Sequence, residues 1–165
     1  MSLHKHVPQP ARILLVEDGH VQALLIRTAL ADLPQLDLLH VAKDGVEAIE
    51  FLRREIESAG EQLPDVILLD INMPKKDGFE VLAELKSDPV LRRVPVVVFT
   101  TSDSQEDVDR AYAQGANTFI AKPVTLGDLK RVLDRIADYW VETARLPTSL
   151  QAAKEGTPRI WRSAS

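Results

Sequence analysis

The sequence predicts an α/β fold in which a five-stranded parallel sheet carries helices on both faces. Three observations support that prediction. Apolar runs of strand length alternate with helix-period segments from Ala11 onward, the pattern of repeated βαβ units. The runs are rich in β-branched residues and nearly continuous in apolar character, as strands covered on both faces must be. The dipeptides Asp44-Gly45, Asp77-Gly78, Asp88-Pro89, Gln114-Gly115 and Lys122-Pro123 punctuate the connections between them, as turn formers do.

Strands are expected near residues 12–17, 37–42, 65–70, 95–100 and 117–121. The first helix lies within His20 to Leu33, where Val21, Leu24, Leu25 and Thr28 recur at helical spacing. Ala48, Leu52 and Ile56 mark the second, and Phe79, Leu82 and Leu85 the third. Val108, Ala111 and Tyr112 mark a weaker fourth, opened by Ser104 with Asp107 three residues later, a capping-type pair. Thr125 caps the fifth, in which Leu126, Leu129, Leu133, Ile136 and Trp140 repeat at steps of three and four. Ser58 to Pro64 reads as a solvated loop. Residues 1–10 read as a flexible arm, 11–147 as one domain, and 148–165 as a polar tail whose Ile160-Trp161 pair is the part suited to docking.

The composition narrows the function. At 165 residues the chain has room for one ordinary domain. A net charge of −5 argues against broad nucleic-acid binding. Zero cysteines exclude a disulfide scaffold and a thiol nucleophile. No apolar run approaches a membrane span, and Met1 to His6 lacks an apolar signal core, so a cytoplasmic protein is expected. The histidines at 4, 6, 20 and 40 show no metal spacing.

The chemistry gathers at the strand ends. The run Asp65-Val-Ile-Leu-Leu ends in Asp70, and Arg12-Ile-Leu-Leu-Val ends in Glu17-Asp18. Val96-Val-Val-Phe ends in Thr100-Thr101, and Asn117-Thr-Phe-Ile-Ala ends in Lys122-Pro123. Open α/β sheets bind ligands at the carboxyl ends of their strands. Three carboxylates suit magnesium, which takes hard oxygen ligands and keeps several waters. A carboxylate can attack a phosphoryl group and hold it as an acyl phosphate. Lys122 offers a point charge for a phosphoryl oxygen, and a threonine hydroxyl a hydrogen bond.

Taken singly, each residue has a plainer role: a strand-end Asp is usually a cap, and Lys-Pro usually a loop. What lifts the joint reading is that four strands each end in a group this chemistry needs. An aspartyl-nucleophile hydrolase commonly places a second acid two residues on, where this chain has Asn72. A nucleotide-binding domain is disfavoured because no Gly-x-Gly phosphate turn is present. The intact acid, Thr and Lys set argues against a phosphorylation-independent interaction module.

The elements Leu-Val-Glu17-Asp18, Leu-Leu-Asp70-Ile-Asn72-Met-Pro74, Asp77-Gly78, Val-Phe-Thr100-Thr-Ser and Ala-Lys122-Pro123 stand in order and well spaced. With them the chain resembles the CheY-like receiver domain of two-component response regulators over about residues 11–140. The resemblance implies a flavodoxin-like sheet in the order 2-1-3-4-5, and a signalling phosphoacceptor rather than an enzyme with a separate substrate. By the resemblance, Asp70 is the phosphoacceptor that takes its phosphoryl group from a histidine kinase. Asp18 binds Mg2+ directly, Glu17 through water and Asn72 through its backbone carbonyl. Lys122 contacts the phosphoryl group through a loop with a cis Lys122–Pro123 bond, Thr100 is the switch hydroxyl, and Phe119 is the rotating aromatic.

A narrower similarity, through Pro74-Lys-Lys-Asp-Gly78, Ser87 to Ser102 and Tyr139-Trp140 with Leu146-Pro147, points to single-domain regulators that partner phytochrome histidine kinases. The chain departs from the family pattern in three places: Glu17 replaces Asp, Gly19 stands where Asn is common, and Phe119 replaces Tyr. A fifth helix drawn on to Leu146 overhangs the sheet, so Tyr139, Trp140, Val141 and Leu146 are expected to form an apolar surface covered in a homodimer, the alternative being cover within one chain by Ile160 and Trp161 of the tail.

Overall fold

A computed structural model describes residues 9–58 and 63–147. The elements follow in order: β1 Ala11–Val16, α1 His20–Ala31, β2 Leu36–Ala42, α2 Gly45–Glu57, β3 Val66–Leu69 and α3 Gly78–Ser87. After a 3-10 turn at Leu91–Arg93 come β4 Val96–Thr100, α4 Gln105–Ala113, β5 Thr118–Ala121 and α5 Leu126–Ala137. The strands pair in parallel in the order β2-β1-β3-β4-β5, as expected. Residues 1–8 of the arm, the tail with Ile160-Trp161, and the middle of the Ser58–Pro64 loop lie outside the described residues.

Alternation along the strands sends side chains to two separate cores. Leu14, Val16, Ile67, Leu69, Val96 and Val98 pack with α2, α3 and Ala111 of α4. Ile13, Leu15, Val66, Leu68, Val97 and Phe99 pack on the other face with Ile26, Leu30, Leu129, Leu133 and Ile136 from α1 and α5. The near-continuous apolar strands are therefore required by burial on both sides. The outer edge strand β2 carries an irregularity at Leu39, since Ile13 pairs with Leu38 and Leu14 with His40; such bulges blunt an edge against further pairing. Ser104 and Thr125 cap α4 and α5 by accepting from the backbone N–H of Asp107 and Asp128, as their sequence positions predict. Among the described residues no helix is long and apolar enough to cross a membrane.

The end of α5 corrects one expectation. The helix does not run on as a straight rod to Leu146. It passes into a wider π-helical turn at Asp138–Thr143, which changes the direction in which successive side chains leave the axis. Trp140 and Val141, four residues after the buried Ile136 and Ala137, continue the core-facing stripe of α5, and with Leu146 they are 8, 1 and 9% exposed, buried in the same core as α1. Only Tyr139, at 53%, faces outward, its ring packed edge-on against Trp140. Burying the other three removes apolar surface from water, so they offer no exposed interface.

Candidate functional site

Because all five strands run the same way, the residues that follow them converge at one edge of the sheet. Glu17 and Asp18 follow β1, Asp70 follows β3, Thr100 ends β4, and Lys122 comes one residue after β5. Glu17, Asp70 and Thr100 are 3, 6 and 0% exposed, and the Lys122 side chain 3%. Asp18 is open to solvent. Carboxylate oxygens of Glu17, Asp18 and Asp70 lie within 4.8 Å of one another.

Asp70 is bonded on both oxygens. Its Oδ1 accepts from Thr100 Oγ1 at 2.9 Å and from the Asn72 backbone N–H at 3.0 Å. Its Oδ2 lies 3.3 Å from Lys122 Nζ. The same ammonium pairs with Glu17 Oε2, so one buried cation serves two buried carboxylates. Backbone bonds fix the frame, from Asp70 N–H to the Val16 carbonyl at 3.0 Å and from Lys122 N–H to the Thr100 carbonyl at 2.7 Å. The Asn72 amide also donates to Thr100 Oγ1 at 3.3 Å, closing a ring of side chains through Asp70, Asn72 and Thr100.

Burial raises the pKa of the Glu17 carboxyl because it penalises the charged form. The bond from Lys122 and its charge oppose that rise, the Asp70 charge adds to it, and a bond from the Gly19 backbone N–H opposes it. Two departures from the family pattern meet here. Glu17 Oε1 curls back to accept from Gly19 N–H at 3.0 Å, and a Cβ on residue 19 would sit only 2.9 Å from that oxygen. The longer acid at 17 and the missing side chain at 19 are thus one steric arrangement, and α1 begins without a side-chain cap.

The three carboxylates fit a divalent cation. They supply hard oxygens from two adjacent strand ends, and the exposed Asp18 leaves room for the waters that Mg2+ retains. Phe119 lies on the α4 side of the sheet, half-buried against the core shared by α2, α3 and α4, and its backbone N–H donates to the Tyr112 hydroxyl at 3.2 Å. The Lys122–Pro123 bond is trans, correcting the cis form that the resemblance implied; trans is the intrinsically favoured isomer, by about 0.5–1 kcal/mol. Sequence reasoning missed Asp44. Read as turn punctuation, it is 6% exposed and caps α2 by accepting from Glu47 N–H at 2.8 Å. Glu47, three residues on, was the available sign of that cap.

Comparison with known proteins places the chain. The model of the response regulator receiver domain matches residues 13–134. The probable methanogenesis regulatory protein FilR2 of Methanothrix harundinacea is 42% identical over 84% of this chain and 88% of its own length. Response regulator Rcp1 of Synechocystis is 41% identical over 85% of this chain and 95% of its own, and its Mn2+-bound crystal structure superposes with a TM-score of 0.74. The phosphorylated cyanobacterial phytochrome response regulator RcpA superposes with a TM-score of 0.76 at 44% identity, covering 84% of this chain and 99% of that one. With its strand order and acidic cluster, the chain belongs to the response regulator receiver family, the phosphoacceptor component of two-component phosphorelays.

Proposed function

We propose that Asp70 is the phosphoacceptor and that Glu17, Asp18, Asp70 and the backbone carbonyl of Asn72 hold Mg2+. The observation that carries this reading is the placing of Thr100 Oγ1 and Lys122 Nζ on opposite oxygens of one buried carboxylate beside two further acids. A carboxylate oxygen of Asp70 attacks the phosphorus of a phosphohistidine. The O–P bond forms, the N–P bond breaks, and the imidazole nitrogen keeps the electron pair. Lys122 and Thr100, released from the free carboxylate, each take a phosphoryl oxygen. Bound Mg2+ supplies charge neutralisation for acids and phosphoryl group together. Attack by water at phosphorus later breaks the carboxyl O–P bond, releasing inorganic phosphate and returning the Asp70 carboxylate.

Thr100 and Phe119 form the switch in this reading. Drawing Thr100 toward the phosphoryl group alters the ring of bonds it shares with Asn72, and Phe119 moves into the space behind it, reshaping the surface of α4, β5 and α5. This chain works in the cytoplasm and takes its phosphoryl group from a histidine kinase of the phytochrome type, a reading supported by the likeness to RcpA. A homodimer would rest on Tyr139, the exposed member of the four residues expected there.

The test is to mix the protein with acetyl phosphate and Mg2+ and to locate an acid-stable, base-labile adduct by peptide mass. Asp70→Asn should abolish stoichiometric labelling while keeping the fold; an adduct at wild-type level on that variant would move the site elsewhere. Phosphoryl transfer from a phytochrome-type kinase, faster than from a kinase of another sensor class, tests the donor.

A further inference from the structure

The segment from Ile71 to Asp77 links β3 to α3 and carries Asn72. At its base the Gly78 N–H donates to the Ile71 carbonyl at 3.2 Å. Near its tip Lys75 has φ +62°, a left-handed conformation that no other non-glycine residue adopts among those described and that a Cβ disfavours. Its ammonium reaches Asp44 Oδ2 at 3.2 Å. Asp44 is rigid, being buried and tied through its other oxygen to the first turn of α2. The segment also lies directly on α2: a Cβ on Gly45 would come 2.5 Å from the Lys76 carbonyl oxygen and 2.5 Å from Val81 Cγ2.

We infer that the Asp44–Lys75 ion pair is a clamp that positions the Asn72 carbonyl for the metal. The inference rests on the metal reading above. Neither residue touches the acidic cluster, so both are positioning residues. Lys75 accepts an unfavourable backbone conformation in which its ammonium meets Asp44, and this holds the segment against the first turn of α2. Asn72 is then fixed from three directions, by this clamp, by its own N–H on Asp70 and by its amide on Thr100.

A clamp and a simple electrostatic field differ in sign. If Lys75 acted only through its charge, removing a cation near a cation site would tighten Mg2+ binding, and only loss of the Asp44 charge would weaken it. A clamp makes both changes weaken it. The experiment is calorimetric titration of the full chain with Mg2+, for wild type, Lys75→Ala, Lys75→Gly, Asp44→Asn and the double variant Asp44→Asn/Lys75→Ala. The expected loss is about 1.5- to fivefold in affinity, the scale of an ion pair whose Lys75 side chain is 68% exposed. The double variant should lose no more than the single ones, as a shared interaction requires. Lys75→Gly relieves the backbone conformation yet should still lose affinity, because the contact to Asp44 is gone. Labelling by acetyl phosphate at saturating Mg2+ should stay at the wild-type rate. Wild type that binds no Mg2+ would overturn the metal reading itself. Wild type that binds, with Lys75→Ala and Lys75→Gly binding equally or more tightly, would overturn the clamp alone.

Discussion

Replacing Lys122 with Met should turn Mg2+ from a ligand into a condition of stability. The ammonium, 3% exposed, is the shared counter-ion of Glu17 and Asp70, themselves 3 and 6% exposed. Met keeps much of the apolar stem and deletes the charge. Glu17 retains only the Gly19 N–H, while Asp70 retains Thr100 and the Asn72 N–H. Removing one partner of a buried ion pair costs about 3–5 kcal/mol, chiefly through the uncompensated charge left behind. For a chain of this length that corresponds to a fall in Tm of roughly 6–20 °C.

In the proposed site Mg2+ would bind the same carboxylates and restore the missing charge. In the wild type it competes with an ammonium already in place; in the variant it does not, so linkage predicts the larger stabilisation in the variant. The assay is thermal unfolding followed by circular dichroism, in chelator and then in excess Mg2+, for both proteins. The variant should melt far below wild type in chelator and recover most of the difference in Mg2+. A Lys122→Met protein that melts within about 2 °C of wild type in chelator, with the same Mg2+ gain, would refute the reasoning, because that shift is below 1 kcal/mol.

Thr100→Ala deletes a fully buried hydroxyl that donates to a carboxylate, so urea unfolding should show a loss of about 1.5–3 kcal/mol. Labelling by acetyl phosphate should persist while the phosphate-dependent change in amide exchange over α4, β5 and α5 disappears; a full change would discard the switch. The Asp44 carboxyl is held below its ordinary 3.8, first by the Glu47 backbone N–H and also by Lys75. Its contribution is therefore complete above 3.8 and is lost as pH falls through the depressed folded value. The stability gap between wild type and Asp44→Asn should be widest near neutrality and close on acidification in denaturant titrations; a gap independent of pH would contradict the assignment. Trp140→Ala should cost about 3–5 kcal/mol in unfolding free energy, because the ring is enclosed within the chain; a cost near zero would return Trp140 to the surface.

The strands, their order of appearance and the acids, hydroxyl and ammonium that follow them were legible because each is a local property. Apolar continuity over residues 66–69 or 96–99 reports burial on both faces, and a parallel sheet brings every strand's carboxyl end to one edge whatever the intervening helices contain. The caps Ser104 and Thr125 were local as well. The arrangement of charge within the cluster was decided by distance in three dimensions: Lys122 lies 105 residues from Glu17 and 52 from Asp70, and no spacing rule says that one ammonium serves both. The curl of Glu17 onto Gly19 depends on side-chain conformation, and the Asp44–Lys75 pair joins two connections that the sequence presents as separate turns. At the end of α5 the apolar spacing was read correctly but its direction was not. Trp140 and Val141 follow the buried Ile136 and Ala137 by four residues, and the packing of that segment against the rest of the core decided whether those side chains face water or the α1 side of the sheet.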